Sequence, residues 1–296
     1  MTKRLLFSFA SFLLIPTFTL AGSPLVTDDW VAERLGSDNL VLLHVGGEES
    51  FAEGHLPGAV RADTHGHLSD PNSHGHGSLV LELPSVDHLK QTLMNWGVDD
   101  HSTIVVYFSD HDVTNATRAL FTLRWAGLGD RSYFLDGGID AWVAAGRDLS
   151  SKETVDTAGP GTLSLSANDA LVVNHEWVKE EGKNTGTALV DARSKAHYEG
   201  VTPSRGRAGH IPGALSVPWT ELVGSDLRLK PQAELREIFA DAGIKPGDTV
   251  VTYCHIGQYA TTVILAAEVL GHPTRLYDGA FQDWANRELP VTTEGP

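Results

Sequence analysis

Short apolar runs alternate with helix-like periodicity along most of this chain. In the second half, 187-TALVDAR-193 reads as a strand, and 232-QAELREIFADAG-243 as an amphipathic helix stopped by glycine. A β-branched strand, 249-TVVTY-253, precedes a mostly apolar helix, 260-ATTVILAAEVLG-271, again with a glycine stop. Another strand, 274-TRLYD-278, follows. Strand–helix alternation of this kind predicts an α/β fold whose mainly parallel sheets are flanked by helices.

The pattern occurs twice. The string 54-GHLPGA-59 returns as 209-GHIPGA-214, 104-IVVYF-108 parallels 250-VVTYC-254, and 133-YFLDGGIDAW-142 parallels 276-LYDGAFQDW-284. Three landmarks repeated in the same order indicate a duplicated domain. The polar, turn-rich stretch 151-SKETVDTAGPGTLS-164 reads as the linker. Domain one is expected over 24–150 and domain two over 165–293, each of ordinary size.

Composition narrows the function classes. Hydrophobic residues form 41% and charged residues 20% of the 296, a globular balance. The net charge of −16 argues against nucleic acid or an anionic membrane surface as partner. At the N-terminus, Lys3 and Arg4 precede the apolar run 5-LLFSFASFLLIPTFTL-20, which holds Pro16 and ends in small residues. These features describe a signal peptide over 1–21, so the mature chain is expected to be exported, to the periplasm, without stable membrane insertion.

Export sharpens the meaning of Cys254, the only cysteine in the chain. A single thiol forms no internal disulfide, so in an oxidising compartment it is either buried and inert or kept for its reactivity. Cys254 ends a strand, and the connection Cys254–Tyr259, with Gly257 inside it, leads into a helix. The C-terminal edge of an open α/β sheet is where ligands bind. A tight strand-to-helix turn aims successive N–H groups inward, which together with the helix N-terminus favours thiolate over thiol. The competing interpretation is a small buried hydrophobe capping the strand.

The GHIPGA string, the Cys-x-x-Gly loop and LYDGAFQDW, in order and duplicated, resemble the rhodanese family, specifically tandem-domain thiosulfate or 3-mercaptopyruvate sulfurtransferases. The resemblance covers nearly all of the chain after the signal. It implies that Cys254 takes a sulfur from a small anionic donor as a persulfide and passes it to cyanide or a thiol, with no metal or organic cofactor. It implies that the loop residues His255, Ile256, Gly257, Gln258, Tyr259 and Ala260 hold the sulfur's charge and the substrate. Arg193, in 190-VDARSKAHYEG-200, matches the family arginine facing the anion, with Asp191 in a supporting role and an interface salt bridge as the alternative for Arg193. His255 either adds positive charge or points to solvent. His55 and His210, inside the repeated hexapeptides, are expected to stabilise turns. The loop reads His-Ile-Gly-Gln-Tyr, whereas family loops often place a basic residue after the cysteine, so the donor stays open between thiosulfate and mercaptopyruvate types.

Domain one carries Phe108 where domain two has Cys254, and 109-SDHDVTNAT-117 replaces the loop. Its aspartates would repel an anion, and spacing offers no base for Ser109, so this half is expected to support the other. His65, His67, His74 and His76 cluster in an insertion after the first hexapeptide. Such tracts can bind metal, but a solvated or interdomain loop is the expectation and no metal site is assigned. Two other functions compete: a non-catalytic exported module binding sulfur compounds or a partner, and a rhodanese-fold phosphatase or arsenate reductase. The latter lacks an arginine closing the loop, since position 260 is alanine.

Overall fold

A computed structural model describes residues 22–73, 78–152 and 162–295. The expected signal peptide lies outside these residues, as does most of the expected linker. No helix among the described residues is long and apolar enough to cross a membrane.

Two α/β halves follow one plan. The first runs β1 (Leu25–Val26), α1 (Asp28–Ala32), β2 (Leu40–Val45), α2 (Glu48–Glu53), β3 (Val60–Ala62), α3 (Val86–Asn95), β4 (Thr103–Phe108), α4 (Val113–Leu123), β5 (Ser132–Leu135) and α5 (Gly138–Ala144). The second repeats the order: β6 (Val172–Val173), α6 (His175–Glu181), β7 (Thr187–Asp191), α7 (Lys195–Tyr198) and β8 (Leu215–Ser216). It continues through α8 (Gln232–Asp241), β9 (Thr249–Tyr253), α9 (Ala260–Val269), β10 (Thr274–Tyr277) and α10 (Ala280–Asn286). The sheets have strand orders β1-β5-β4-β2-β3 and β6-β10-β9-β7-β8, with parallel pairing throughout. The predicted α/β class and duplication are observed.

Strand β9 is central, between β10 and β7, and Val250 to Tyr253 are buried. A central parallel strand is covered on both faces, which is why it reads as an apolar, β-branched run. Helix α9 is apolar on nearly every side for a related reason. One face meets its own sheet and another meets α4, so Ala260 to Ala267 are all buried. One apolar cluster joins Ala116, Ala119 and Leu120 of α4 with Val263, Ile264 and Ala267 of α9, fusing the inner faces of the halves into one core. The outer face of each sheet has its own smaller cluster.

The insertion after β3 clasps the two halves. Val80 N–H donates to Gln282 Oε1 (3.1 Å), Gln282 Nε2 donates to the Ser78 carbonyl (3.0 Å), and Leu83 N–H donates to Asp278 Oδ2 (3.0 Å). His67 meets Trp96 edge-on and accepts the Asp63 N–H at Nδ1, while His74 and His76 lie outside the described residues. Among the described residues no group of three or more His, Cys, Asp or Glu is arranged to hold a metal. Residues 162–168 run along the first half: Ser164 N–H donates to Asp100 (2.6 Å), Ser166 N–H to the Ala126 carbonyl (3.1 Å) and Asn168 N–H to that of Trp125 (2.7 Å).

Candidate active site

Cys254 follows β9 directly and is completely buried. Gly257 turns the chain with φ +82°, a backbone that L side chains rarely adopt. Thr261 donates both its N–H (3.1 Å) and its hydroxyl (2.7 Å) to the Gln258 carbonyl, and Thr252 Oγ1 donates to the Ala260 carbonyl (3.2 Å). Folded this way, the loop directs the N–H groups of Ile256, Gly257, Tyr259 and Ala260 to the Cys254 sulfur. Burial pushes the thiol up from its ordinary value, while these four amides pull it down. Burial wins in the free protein. The expected preference for thiolate is therefore not met in the free protein, although each of the four amides favours anion over thiol.

The two histidines beside the loop are held below their ordinary pKa. His255 is half-buried, and burial with the nearby Arg193 charge lowers its pKa to about 4. Its Nδ1 hydrogen-bonds Ser204 Oγ (2.8 Å), and its ring meets His197 edge-on with centroids 4.6 Å apart. His197 is lowered too, by burial and by Arg193, and its Nδ1 hydrogen-bonds Ser194 Oγ (2.8 Å). So His255 neither supplies a cation nor points freely to solvent. Tyr259 lies against Trp219, centroids 5.7 Å apart. His197, Ser204 and Trp219 were missed in the sequence; their signal was position alone, in the segments that follow β7, the neighbour of β9, and β8, the strand beyond it.

Arg193 and Asp191 are both buried, and their bridge lies within the second half rather than at the interface. Arg193 Nε and Nη2 grip Asp191, at 2.9 and 2.6 Å, and Nη2 also donates to the Gly209 carbonyl (2.9 Å). The guanidinium lies 4.0 Å above the Phe281 ring. Its Nη1 is buried with no hydrogen-bond partner among the described residues. Asp191 also accepts the Tyr253 hydroxyl proton (2.9 Å), whose oxygen in turn accepts the Ile211 N–H (3.1 Å). His210 stacks on Tyr198 at 3.6 Å and bonds its carbonyl (2.7 Å); His55 stacks on Phe51 at 4.0 Å and does likewise (2.8 Å). Both repeated histidines thus brace turns.

Strand register supports the same comparison in the first half. Val106 pairs with Phe134 as Thr252 pairs with Leu276, which puts Phe108 at the position of Cys254. There the absence of a base beside Ser109, expected from spacing, is corrected: His44 Nε2 lies 2.9 Å from Ser109 Oγ. The two meet because β2 and β4 are neighbours, although 65 residues separate them in the chain. Tyr107 Oη accepts the Leu56 N–H (3.0 Å) and hydrogen-bonds His44 Nδ1 (2.9 Å). Ser109 Oγ also hydrogen-bonds Ser50 Oγ (3.0 Å), which donates to Asp110 Oδ2 (2.7 Å). The Asp110 carboxylate, 3.3 Å from Ser109 Oγ, would repel an anionic substrate and argues against a nucleophile here.

A recess of about 850 Å³ opens between the halves, lined by Glu82, Trp125, Asp169, His175, Trp177 and Asp283 among others; Cys254 does not line it.

The rhodanese-like domain family matches residues 27–145 and 174–287, and the chain belongs to the rhodanese family, in two copies of its domain. Relatives include a 3-mercaptopyruvate sulfurtransferase of Escherichia coli K12, 32% identical over 278 residues, 89% of this chain and 95% of that protein. A thiosulfate sulfurtransferase of Pseudomonas aeruginosa is 29% identical over 265 residues, 88% of this chain and 94% of that one. Among solved structures, the anaerobic ergothioneine biosynthesis enzyme from Chlorobium limicola matches in fold, with TM-score 0.81 at 24% identity, over 92% of this chain and 71% of that one.

Proposed function

We propose that this chain is a sulfurtransferase that carries sulfane sulfur as a persulfide on Cys254. The observation that carries the reading is the ring of four backbone N–H groups, from Ile256, Gly257, Tyr259 and Ala260, around one sulfur at the end of a central strand. With thiosulfate, the Cys254 thiolate attacks the outer sulfur; the Sγ–S bond forms, the donor S–S bond breaks, and sulfite leaves with the electron pair. With 3-mercaptopyruvate, the C–S bond breaks instead and the pyruvate carbon takes a proton. Cyanide or a thiolate then attacks the terminal sulfur, and the Cys254 thiolate leaves. The four amides hold the negative charge at each stage, and the Arg193 guanidinium, which a charged Cys254 stabilises, adds positive charge nearby. No metal or organic cofactor enters these steps, and relatives with sulfurtransferase names at about 30% identity support the reaction class. Export rests on the N-terminal signal pattern; fractionation that finds the chain only in the cytoplasm, with mass spectrometry showing it to start at Met1, would overturn it.

The test is intact mass spectrometry after thiosulfate and, separately, mercaptopyruvate, each followed by cyanide. The expected result is the gain of one sulfur atom, lost on cyanide and absent in Cys254→Ser. No gain with either donor, from a thiol that alkylates, overturns the reading. One observation favours a non-catalytic module instead: the sulfur is completely buried. A Cys254 that resists small alkylating reagents across the pH range would select that second reading.

A further inference from the structure

The half without a nucleophile reaches the loop of the half that has one at three adjoining points. All come from one face of α4, at the i, i+3, i+4 spacing that stacks side chains along a helix. Thr114 Oγ1 accepts a hydrogen bond from Gln258 Nε2 (2.8 Å), in the loop itself. Thr117 Oγ1 shares hydrogen bonds with Thr261 Oγ1 (2.9 Å) and Thr262 Oγ1 (3.0 Å), in the first turn of α9. Arg118, wholly buried, donates from Nη1 to Asp278 Oδ1 (2.6 Å) and from Nη2 to the Leu81 carbonyl. That guanidinium abuts the loop, since a methyl group placed on Gly257 would lie 3.1 Å from Nη1.

We propose that Thr114, Thr117 and Arg118 are positioning residues for the sulfur-bearing loop, so that the first half fixes the amide cradle in which Cys254 reacts. The inference rests on Cys254 as the sulfur carrier. Apolar contact between α4 and α9 alone is tolerant of small slides, whereas a buried ladder of hydroxyls and one ion pair admits a single register. The register matters at Gln258, because the amides on either side of it, of Gly257 and Tyr259, bind the sulfur. A tether on the Gln258 side chain therefore acts on the peptide groups that the cradle uses. Thr114 is 4% exposed, so water does not readily replace it as acceptor.

The test compares Thr114→Val, which keeps shape and removes the acceptor, with Thr114→Ser, which keeps the hydroxyl. Three quantities are read: the pH–rate profile of alkylation by iodoacetamide, persulfide loading in a single turnover, and the thermal midpoint. The other groups about the thiol, namely Arg193 from the end of β7, His255 on the loop, Asp278 from the end of β10 and Arg118 from α4, stay unchanged in both variants. T114V is expected to move the alkylation midpoint to higher pH and to slow loading about tenfold, as for one lost buried hydrogen bond, while T114S restores both. A T114V profile that overlays the wild type, or a lowered thermal midpoint with no change in the profile, overturns the proposal by reducing the contact to packing. If the profile moves as expected but neither wild type nor variant gains sulfur, the positioning role stands and the sulfurtransferase reading falls.

Discussion

Replacing Gly257 by alanine tests the geometry of the loop most directly. At φ +82° an L residue costs about 1 kcal/mol or somewhat more in backbone energy alone. The new methyl would also sit 2.9 Å from the Asp278 carbonyl oxygen, 3.1 Å from Arg118 Nη1 and 3.3 Å from Asp278 Oδ1. None of these can swing away cheaply. The first is main chain, and the Arg118 guanidinium is pinned by Asp278 and Leu81. The loop must shift instead, and overpacking of this kind costs about 1–3 kcal/mol. The two effects together come to about 2–5 kcal/mol, which lowers the thermal midpoint by about 3–8 °C for a chain of this size. Gly271→Ala is the control: it has φ +86° and nothing within 4 Å of the added methyl, so it bears the backbone cost without the steric one. Scanning calorimetry of both variants isolates the steric part. Persulfide loading measured by mass spectrometry should fall at least about tenfold in G257A, since misaimed donors lose most of their effect, and should be unchanged in G271A. Equal midpoints for the two variants, with G257A loading normally, would refute the described packing of the loop against the Asp278 carbonyl.

Two pH-dependent effects follow from burial. Glu82 has its pKa raised from 4.5 to about 8 by burial and by the neighbouring Asp278 charge. Its folded form holds the proton more tightly, so its contribution to stability is complete below about 4.5 and is lost as pH rises towards 8. Glu82→Gln should therefore unfold at a higher temperature than the wild type at pH 8 and at the same temperature at pH 4.5; the same difference at both would refute this. His44 has the opposite sign: burial lowers it from 6.5 to about 4, so stability is present above 6.5 and lost as pH falls through 4. The loss is on the order of 2–3 kcal/mol. His44→Gln should flatten the decline of the thermal midpoint between pH 6.5 and 4, and an unchanged slope would mean His44 is not kept neutral by its surroundings.

The parts of the fold legible in the sequence were those set by burial along a single element. A strand covered on both faces must be apolar, so β4 and β9 stood out, and the glycine stops after α8 and α9 marked their ends. Cys254 could be placed at a strand end because strand and helix patterns meet there. The site was less legible wherever two distant segments decide a side chain's role. Arg193 carries the residue type for binding an anion, yet Asp191 two positions earlier holds most of its guanidinium. His44 meets Ser109 only because β2 and β4 pair in parallel, and no spacing rule joins residues across a crossover. The clasp formed by 78–84 has no local pattern at all; its meaning lies in backbone groups that bond Gln282 and Asp278. Helix α9 was read as mostly apolar, but the identity of its second neighbour, α4, is a matter of how duplicated halves dock.

That docking has a cost in modularity. Because the α4 and α9 faces form one interior, neither half is a self-contained bead on a string. Cut between 152 and 162, each fragment would expose to water a helix surface whose solvent-facing side exists only as the other fragment. Expression of either piece alone therefore leads towards self-association, with α9 seeking a second α9 where α4 had been. A thiol at the matching position of the first half would come at the expense of its packing. Phe108 is buried and stacked on Phe134, so Phe108→Cys would open a void in that half's interior.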